Sequence, residues 1–524
     1  MNAPASFPET GSGQQTRERL VVIGNGMAGC RAVEEILARD PARFAVTIFG
    51  AEPRVNYNRI MLSPVLAGEK AFDDIVINGA DWYADNGIDL VSGDPVIAID
   101  RERRVVVSRS GRAQPYDRLL IATGSDPFII PVPGHDLPGV VTFRDLDDVE
   151  KMLSAADAGG SAVVIGGGLL GLEAAHGLAL RGMAVTVVHL MPTLMERQLD
   201  EAAGYLLKSE LERRGQTIVT GGDTAEIVAK DGHVSGVRLK DGREFPADIV
   251  VMAVGIRPAT GLARAAGLEV ERGILVDDHM LTNDPAIMAV GECVQHRGQC
   301  YGLVAPLWDM CRALADAATG QPSGYTGSVT STKLKVSGID LFSAGDFSGG
   351  DGAEDIVMRD AARGVYKRVI VKDDRLVGTV LYGDTADGSW YFDLLKKGED
   401  INKIAKSSQL DVTTSSSFGR ADSVEGLGQA ASLEDAFKAP LGSVFGPIPI
   451  QGRSIVAKVT EKSEADLTAL PVEHDSLLAQ LKQKKASDRN ALLVDGILEK
   501  LTSEGKVVVN RKEIQNLVAT LRQR

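Results

Sequence analysis

Two glycine triplets carry the clearest chemistry in this sequence: Gly24-x-Gly26-x-x-Gly29 and, 142 residues further on, Gly166-x-Gly168-x-x-Gly171. In such a triplet the first Gly allows a tight turn, and the second lets backbone approach a pyrophosphate. The third lets a helix pack closely on a strand. The diphosphate would then rest on the helix N-terminus, where free N–H groups and the dipole favour negative charge. A single triplet is also compatible with an ordinary turn. Here each copy follows an apolar strand and opens a helix, at Met27-Ala28 and at Leu169-Leu170, so the pair points to two dinucleotide sites in one chain. A dithiol centre finds no support. No two of the four Cys are spaced C-x-x-C, and six residues separate the closest pair, Cys293 and Cys300, so all four read as free thiols.

The elements that must hold these turns are legible from periodicity. Residues 20–23 form an apolar run, the apolar spacing of Ala32, Val33, Ile36 and Leu37 predicts a helix over 30–37, and a second strand over 45–49 ends in Gly50-Ala51-Glu52. The unit repeats as a strand over 161–165, a helix to Leu180 and a strand over 184–188. Short strands are expected at 104–108 and 118–121, the latter entering Ala122-Thr123-Gly124. Others are expected at 234–239, at 247–253 before Gly255-Ile256-Arg257-Pro258, and at 287–290, a last strand capped by Gly291-Glu292. From about 325 to 395 the pattern turns antiparallel, with strands over 333–336, 339–343, 366–371 and 376–381 and an Asp373-Asp374 turn. Beyond 400, residues 413–417 read as a linker, 454–460 as a strand, and 477–481 and 492–501 as two amphipathic helices before an end rich in Lys and Arg.

Composition bounds the function class. The chain has 524 residues, room for three or four domains at ~150 residues each. It has 57 basic against 71 acidic residues, a net charge of −14, which argues against a nucleic-acid surface. Four Cys exclude a disulfide scaffold. Glycine, at 57 residues, is in excess, one cause of which is phosphate-binding turns. Residues 1–19 lack a signal-peptide pattern, and apolar runs such as 248–256 fall short of the ~20 residues of a membrane span. A cytoplasmic protein with no membrane span is expected.

In order along the chain, the first triplet, Ala122-Thr123-Gly124, the second triplet with Glu173, Gly255-Ile256-Arg257-Pro258 and Ala289-Val290-Gly291-Glu292 resemble the two-dinucleotide-domain flavoprotein reductases. Further marks narrow this to the flavin portion of assimilatory NAD(P)H nitrite reductase large subunits and the related nitrate-reductase electron-transfer subunits. They are Tyr57-x-Arg59-x-x-Leu62-Ser63, the segment from Val188 to Asp200, Gly291-Glu292-Cys293, the segment from Tyr301 to Pro306 and the segment from Thr332 to Gly338. The resemblance covers about residues 18–400.

It implies an α/β fold: two Rossmann-like domains of the glutathione-reductase type, a β-rich α+β C-terminal domain, and a partly helical tail. FAD would occupy 18–142 with 269–322 and NAD(P)H would occupy 143–268, while 323–400 would form an interface domain. Gly24, Gly26, Met27, Ala28 and Gly29 would hold the FAD pyrophosphate. Glu292 would replace the more usual Asp on the ribityl chain. Glu52 would serve the ribose, because Ala51 stands where many relatives have a carboxylate; a solvated turn residue is the alternative. Arg59, Val96, Thr123, Gly124, Arg144, Gly255 and Gly291 complete that side, surface ion pairs being the alternative for the two arginines. Gly166, Gly168, Leu169, Leu170 and Gly171 would bind NAD(P)H, with Glu173, near the nicotinamide and flavin, as the candidate catalytic residue. His189 ends the strand where an acid would mark NADH, and Arg197 could meet a 2′-phosphate or be a surface charge, which leaves the choice open, leaning to NADH.

The implied reaction is hydride transfer from NAD(P)H to FAD and onward transfer to a separate acceptor in nitrite or nitrate assimilation. The iron–sulfur and sirohaem segments of longer relatives have no counterpart in these residues. A rubredoxin or ferredoxin reductase is the neighbouring alternative, and a homodimer is possible. From about 401 the resemblance stops. Segments around 417–428, 442–448 and 456–462 resemble the C-terminal part of a parvulin-type peptidyl-prolyl isomerase; an unrelated docking extension is the alternative. A chaperone-like binding protein acting through this tail is the competing function of another class.

Overall fold

The computed structural model describes residues 17–503 and 506, apart from 323, 337, 351, 401–402, 404–412, 421, 425–427, 431–432, 451–452 and 464–469. Residues 1–16, the basic end beyond 506, Ser337 and residues 425–427 of the tail motifs therefore lie outside the described residues. Contacts divide the chain into one unit over 1–437 and 444–457 and another over 438–443 and 458–524.

The larger unit is α/β. Its strand Glu18–Ile23 pairs in parallel with Phe44–Phe49 on one side and Arg118–Ile121 on the other. Leu20, Val21 and Val22 are all fully buried although successive side chains point to opposite faces. Burial on both faces is what a central parallel strand covered by helices requires, and it explains the unbroken apolar run. Asp89–Val91 and Ile287–Ala289 complete this five-stranded sheet at its two edges. Helices Met27–Arg39 and Val304–Ala318 pack against one another beside it.

The architecture then repeats. Ser161–Ile165 lies between Ala184–His189 and Ile249–Met252, with Thr217–Thr220 and Val140–Thr142 at the edges, all parallel. In both sheets the strand leading into a glycine triplet is central, with the triplet helix directly after it. The expected strands and helices of both units are present, shifted by a few residues at their ends.

The C-terminal part is a five-stranded antiparallel sheet ordered Ser331–Val336, Ile339–Gly345, Arg375–Tyr382, Val365–Lys372, Glu354–Asp360. Alternation divides its faces. Ile339 and Leu341 join the core around the second sheet, whereas Phe342 and Ala344 face helix Gly388–Lys397 through Tyr391, Phe392 and Leu395. Asp373 and Asp374 both take positive φ, +50° and +56°, forming the expected turn.

Four differences from the sequence expectations have physical reasons. Val294–His296 is a strand beyond the one expected to be last, paired in parallel with Ile274–Val276. Thr224–Lys230 forms a hairpin with His233–Leu239 through Asp231 and Gly232, both at positive φ. Glu354–Asp360 is an edge strand whose charged residues, typical of protected edges, mask its β pattern. The two expected tail helices are one helix, Leu470–Ser503. Residues 482–490 between them are polar but contain neither Pro nor Gly, and Lys, Gln and Ala favour helix.

Candidate functional site

The two glycine turns share one geometry. Gly24 and Gly166 sit at φ +120° and +124°, where side chains are disfavoured. A Cβ on either would also lie 2.2 Å from a backbone oxygen, that of Ala122 or of Ala253. A Cβ on Gly29 or Gly171 would lie 2.2 or 2.0 Å from the oxygen of Gly24 or Gly166, so these buried glycines allow each helix to close on its own turn. Gly26 and Gly168 differ: a Cβ there would meet nothing within 4 Å. Each is an N-cap without a side-chain partner, which leaves the first N–H groups of its helix facing open space. Two backbone cradles of one geometry, each open at its second glycine, follow from residue type alone.

The first cradle opens into a cavity of about 1010 Å³. Of the residues expected on the FAD side, Gly24, Gly26, Met27, Ala28, Glu52, Arg59, Val96, Thr123, Gly124, Arg144 and Glu292 line it. Leu169, Leu170 and Glu173 reach it from the helix of the second triplet, so one cavity receives side chains from the surroundings of both glycine triplets. Gly29, Gly255 and Gly291 do not line it, nor do Gly166, Gly168, Gly171 and His189, which belong to the second turn and its surroundings. None of the four cysteines lines it; three are buried and all are free thiols.

Two sets of polar groups around the cavity are paired internally. The Tyr57 hydroxyl donates to Glu52 Oε2 at 2.7 Å, and Arg59 donates to the other oxygen of the same carboxylate. Glu52 is therefore a fixed carboxylate and not a loose turn residue. Arg144 donates to Glu292 Oε2, which also accepts from Ser125 Oγ at 2.7 Å. Both arginines are ion-paired, as the alternative reading held, yet they are part-buried and line the cavity. Arg144 Nε is buried with no partner, a donor left over for a ligand. That orphan, the open second glycine and the uncapped helix together fit a dinucleotide.

Where helix Leu62–Ala67 meets the helix of the second triplet, Ser63 donates to Glu173, and burial pushes the Glu173 carboxyl above its usual range, the Ser63 hydrogen bond opposing. One helical turn on, His176 also lines the cavity, and burial lowers the pKa of its ring. Lys333 and Thr332, on the antiparallel sheet, form part of the wall. Ser63, Ser125 and His176 belong to the site beyond the residues expected from sequence. Ser63 ends the motif Tyr57-x-Arg59-x-x-Leu62-Ser63 and His176 stands one helical turn beyond Glu173, the signals that point to them.

Around the second cradle, His189 is buried and accepts a hydrogen bond at Nδ1 from the Gly167 N–H at 3.0 Å. Its Nε2 faces Glu196 Oε2 at 3.0 Å.

Comparison with known proteins places these features among relatives. The family described as pyridine nucleotide-disulphide oxidoreductase matches residues 18–313, and the rubredoxin NAD+ reductase C-terminal domain matches residues 331–399. A Bacillus subtilis nitrite reductase [NAD(P)H] is 50% identical over 395 residues, covering 75% of this chain and 49% of that protein. The assimilatory nitrate reductase electron transfer subunit of the same organism is 45% identical over 400 residues, covering 76% of this chain and 52% of that protein. The chain thus spans about half the length of these two relatives. A solved ferredoxin reductase from Rhodopseudomonas palustris superposes with a TM-score of 0.68 at 28% identity, covering 75% of this chain and 98% of that one. Both family matches end before residue 400, and neither bears on the prolyl-isomerase reading of the tail.

Proposed function

Because the chain belongs to the pyridine nucleotide-disulphide oxidoreductase family, we propose that it is an FAD-dependent oxidoreductase taking hydride from NAD(P)H. It would pass the electrons to a separate acceptor in nitrite or nitrate assimilation. The observation that carries this reading is the single cavity lined both by the first glycine turn and by Leu169, Leu170 and Glu173 of the second unit. A flavin stretched from the first cradle would end where a nicotinamide held on the second unit begins. When bound, FAD supplies two-electron uptake and one-electron release, chemistry no side chain here offers.

The protein's share is binding and orientation. Gly24 to Ala28 and the N-terminus of helix Met27–Arg39 would hold the pyrophosphate. Glu52, fixed by Tyr57 and Arg59, would accept from a ribose hydroxyl, and Glu292, clamped by Arg144 and Ser125, from the ribityl chain. Leu169 and Leu170 would exclude water where the two rings meet. With no cysteine at the cavity, the electrons would leave for an external acceptor and not for a disulfide of this chain.

In this proposal residues 18–142 and 269–322 serve FAD, 143–268 serve NAD(P)H and 323–400 form the interface domain. The cytoplasmic location and homodimer expected from the sequence belong to the same proposal; among the described residues, no helix is long and apolar enough to cross a membrane. A rubredoxin or ferredoxin reductase is the second reading, favoured by the match over 331–399 and separable by titration with each acceptor. The test is anaerobic addition of NADH and NADPH to the purified chain. Bleaching of a bound flavin spectrum is expected. No flavin, or no bleaching by either nucleotide, overturns the proposal.

A further inference from the structure

We propose that Glu196, held in place by His189, selects NADH against NADPH. In dinucleotide sites the end of the second strand offers a carboxylate to the adenosine 2′-hydroxyl. Here that strand, Ala184–His189, ends on an imidazole. The imidazole has a fixed role. Nδ1 accepts from Gly167 N–H at 3.0 Å, so it carries no proton and Nε2 must carry one. Nε2 can then only donate, and its partner 3.0 Å away is Glu196 Oε2. A carboxylate is thereby delivered, one hydrogen bond removed, to the place where the strand itself lacks one.

Two further observations tie Glu196 to the glycine turn. Gly167 is the middle residue of Gly166-x-Gly168, and its oxygen accepts from the N–H of Met195 at 3.0 Å. Met195 is fully buried at φ +53°, a conformation that L residues rarely adopt. Such an outlier is kept where surrounding contacts impose it, and its effect here is to turn Glu196 back toward His189. The Glu196 side chain retains 32% exposure, so it is open to solvent beside the turn as well as to the imidazole. A carboxylate in that position accepts from a 2′-hydroxyl and repels a 2′-phosphate. Arg197, exposed and with no ion-pair partner among the described residues, is the competing determinant and would favour the phosphate.

This inference rests on the nicotinamide reading above, and its test separates the two. ADP-ribose and 2′-phospho-ADP-ribose bind without turnover, and calorimetry on the flavin-loaded full chain reads each affinity. The natural chain is expected to favour ADP-ribose by about tenfold or more, and Glu196→Gln, which still accepts from His189, to narrow that ratio by about tenfold. Arg197→Ala is expected to leave the ratio within about twofold. A natural preference for the phosphorylated probe, a ratio unmoved by Glu196→Gln, or one moved by Arg197→Ala instead, overturns the role of Glu196 while the nicotinamide site stands. Failure of both probes to bind, with no flavin bleaching by either nucleotide, overturns the site and the inference together.

Discussion

Ser63 and Glu173 are 110 residues apart in sequence and joined by a hydrogen bond that links helix Leu62–Ala67 to the helix of the second glycine triplet. The serine hydroxyl donates to a carboxylate that is otherwise pushed by burial above its ordinary 4.5. A carboxyl whose pKa rises on folding binds its proton more tightly when folded. Its favourable contribution is complete below the ordinary value and is lost as pH rises through the raised one. Glu173→Gln removes that loss. Its melting temperature is expected to gain on the natural chain as pH rises above the ordinary 4.5, and to stop gaining once the raised value has been passed. A difference that does not change with pH would show that Glu173 titrates as it does in water.

The three glycines of the first turn are expected to fail differently. Gly24→Ala meets both a positive φ and the Ala122 oxygen, so it should unfold the domain or lower its stability by roughly 2–4 kcal/mol. Gly29→Ala should do likewise, by forcing the helix off its turn. Gly26→Ala meets nothing, so it should melt within a few degrees of the flavin-free natural chain yet purify without flavin. Melting curves beside flavin absorbance distinguish these outcomes.

Arg144 and Glu292 are only 18% and 15% exposed in their side chains. Removing one partner leaves the other charge buried, so Arg144→Leu should cost roughly 3 kcal/mol in urea unfolding. Replacing both residues with Leu should cost less than that single change. If the two single changes simply add, the pair is not coupled.

Burial pushes up the thiols of Cys30, Cys293 and Cys311, that of Cys30 to about 12. Iodoacetamide at neutral pH is expected to label Cys300 alone, and slowly, because its thiol is also raised. Flavin reduction should survive the treatment. Loss of reduction on labelling a buried thiol would bring a cysteine into the mechanism.

Deleting residues after 400 removes the part outside both family matches. Flavin content and reduction by nucleotide should persist. A tail-dependent suppression of aggregation, with reduction absent from the full chain, would favour the chaperone-like reading instead.

Much of this was legible from sequence because turn chemistry and apolar periodicity are local. Gly24, Gly26 and Gly29 announce a cradle within six residues, and the unbroken run before them announces a central strand. The Ser63–Glu173 bond was not legible: each residue stands in a motif of its own, nothing local pairs the two, and only the packing of two helices brings them together. Glu52 was read from its position after the second strand, but its partners Tyr57 and Arg59 stand on a two-residue strand, Asn56–Tyr57, and a single 3-10 turn, Arg59–Met61, both too short for periodicity to report. The tail shows the opposite error. A polar stretch reads as an interruption between helices, although a solvent-facing helix needs no apolar residues to continue.

The cavity of about 1010 Å³ also bears on folding. It is bounded by stretches as far apart in sequence as Gly24, Glu173, Glu292 and Lys333, so a cofactor seated there would touch most layers of the larger unit at once. Loading and folding then become linked equilibria, worth about 4 kcal/mol when free flavin stands a thousandfold above its dissociation constant. Cells short of riboflavin would accordingly make less of this protein, because chains that never meet their flavin would be lost to proteolysis.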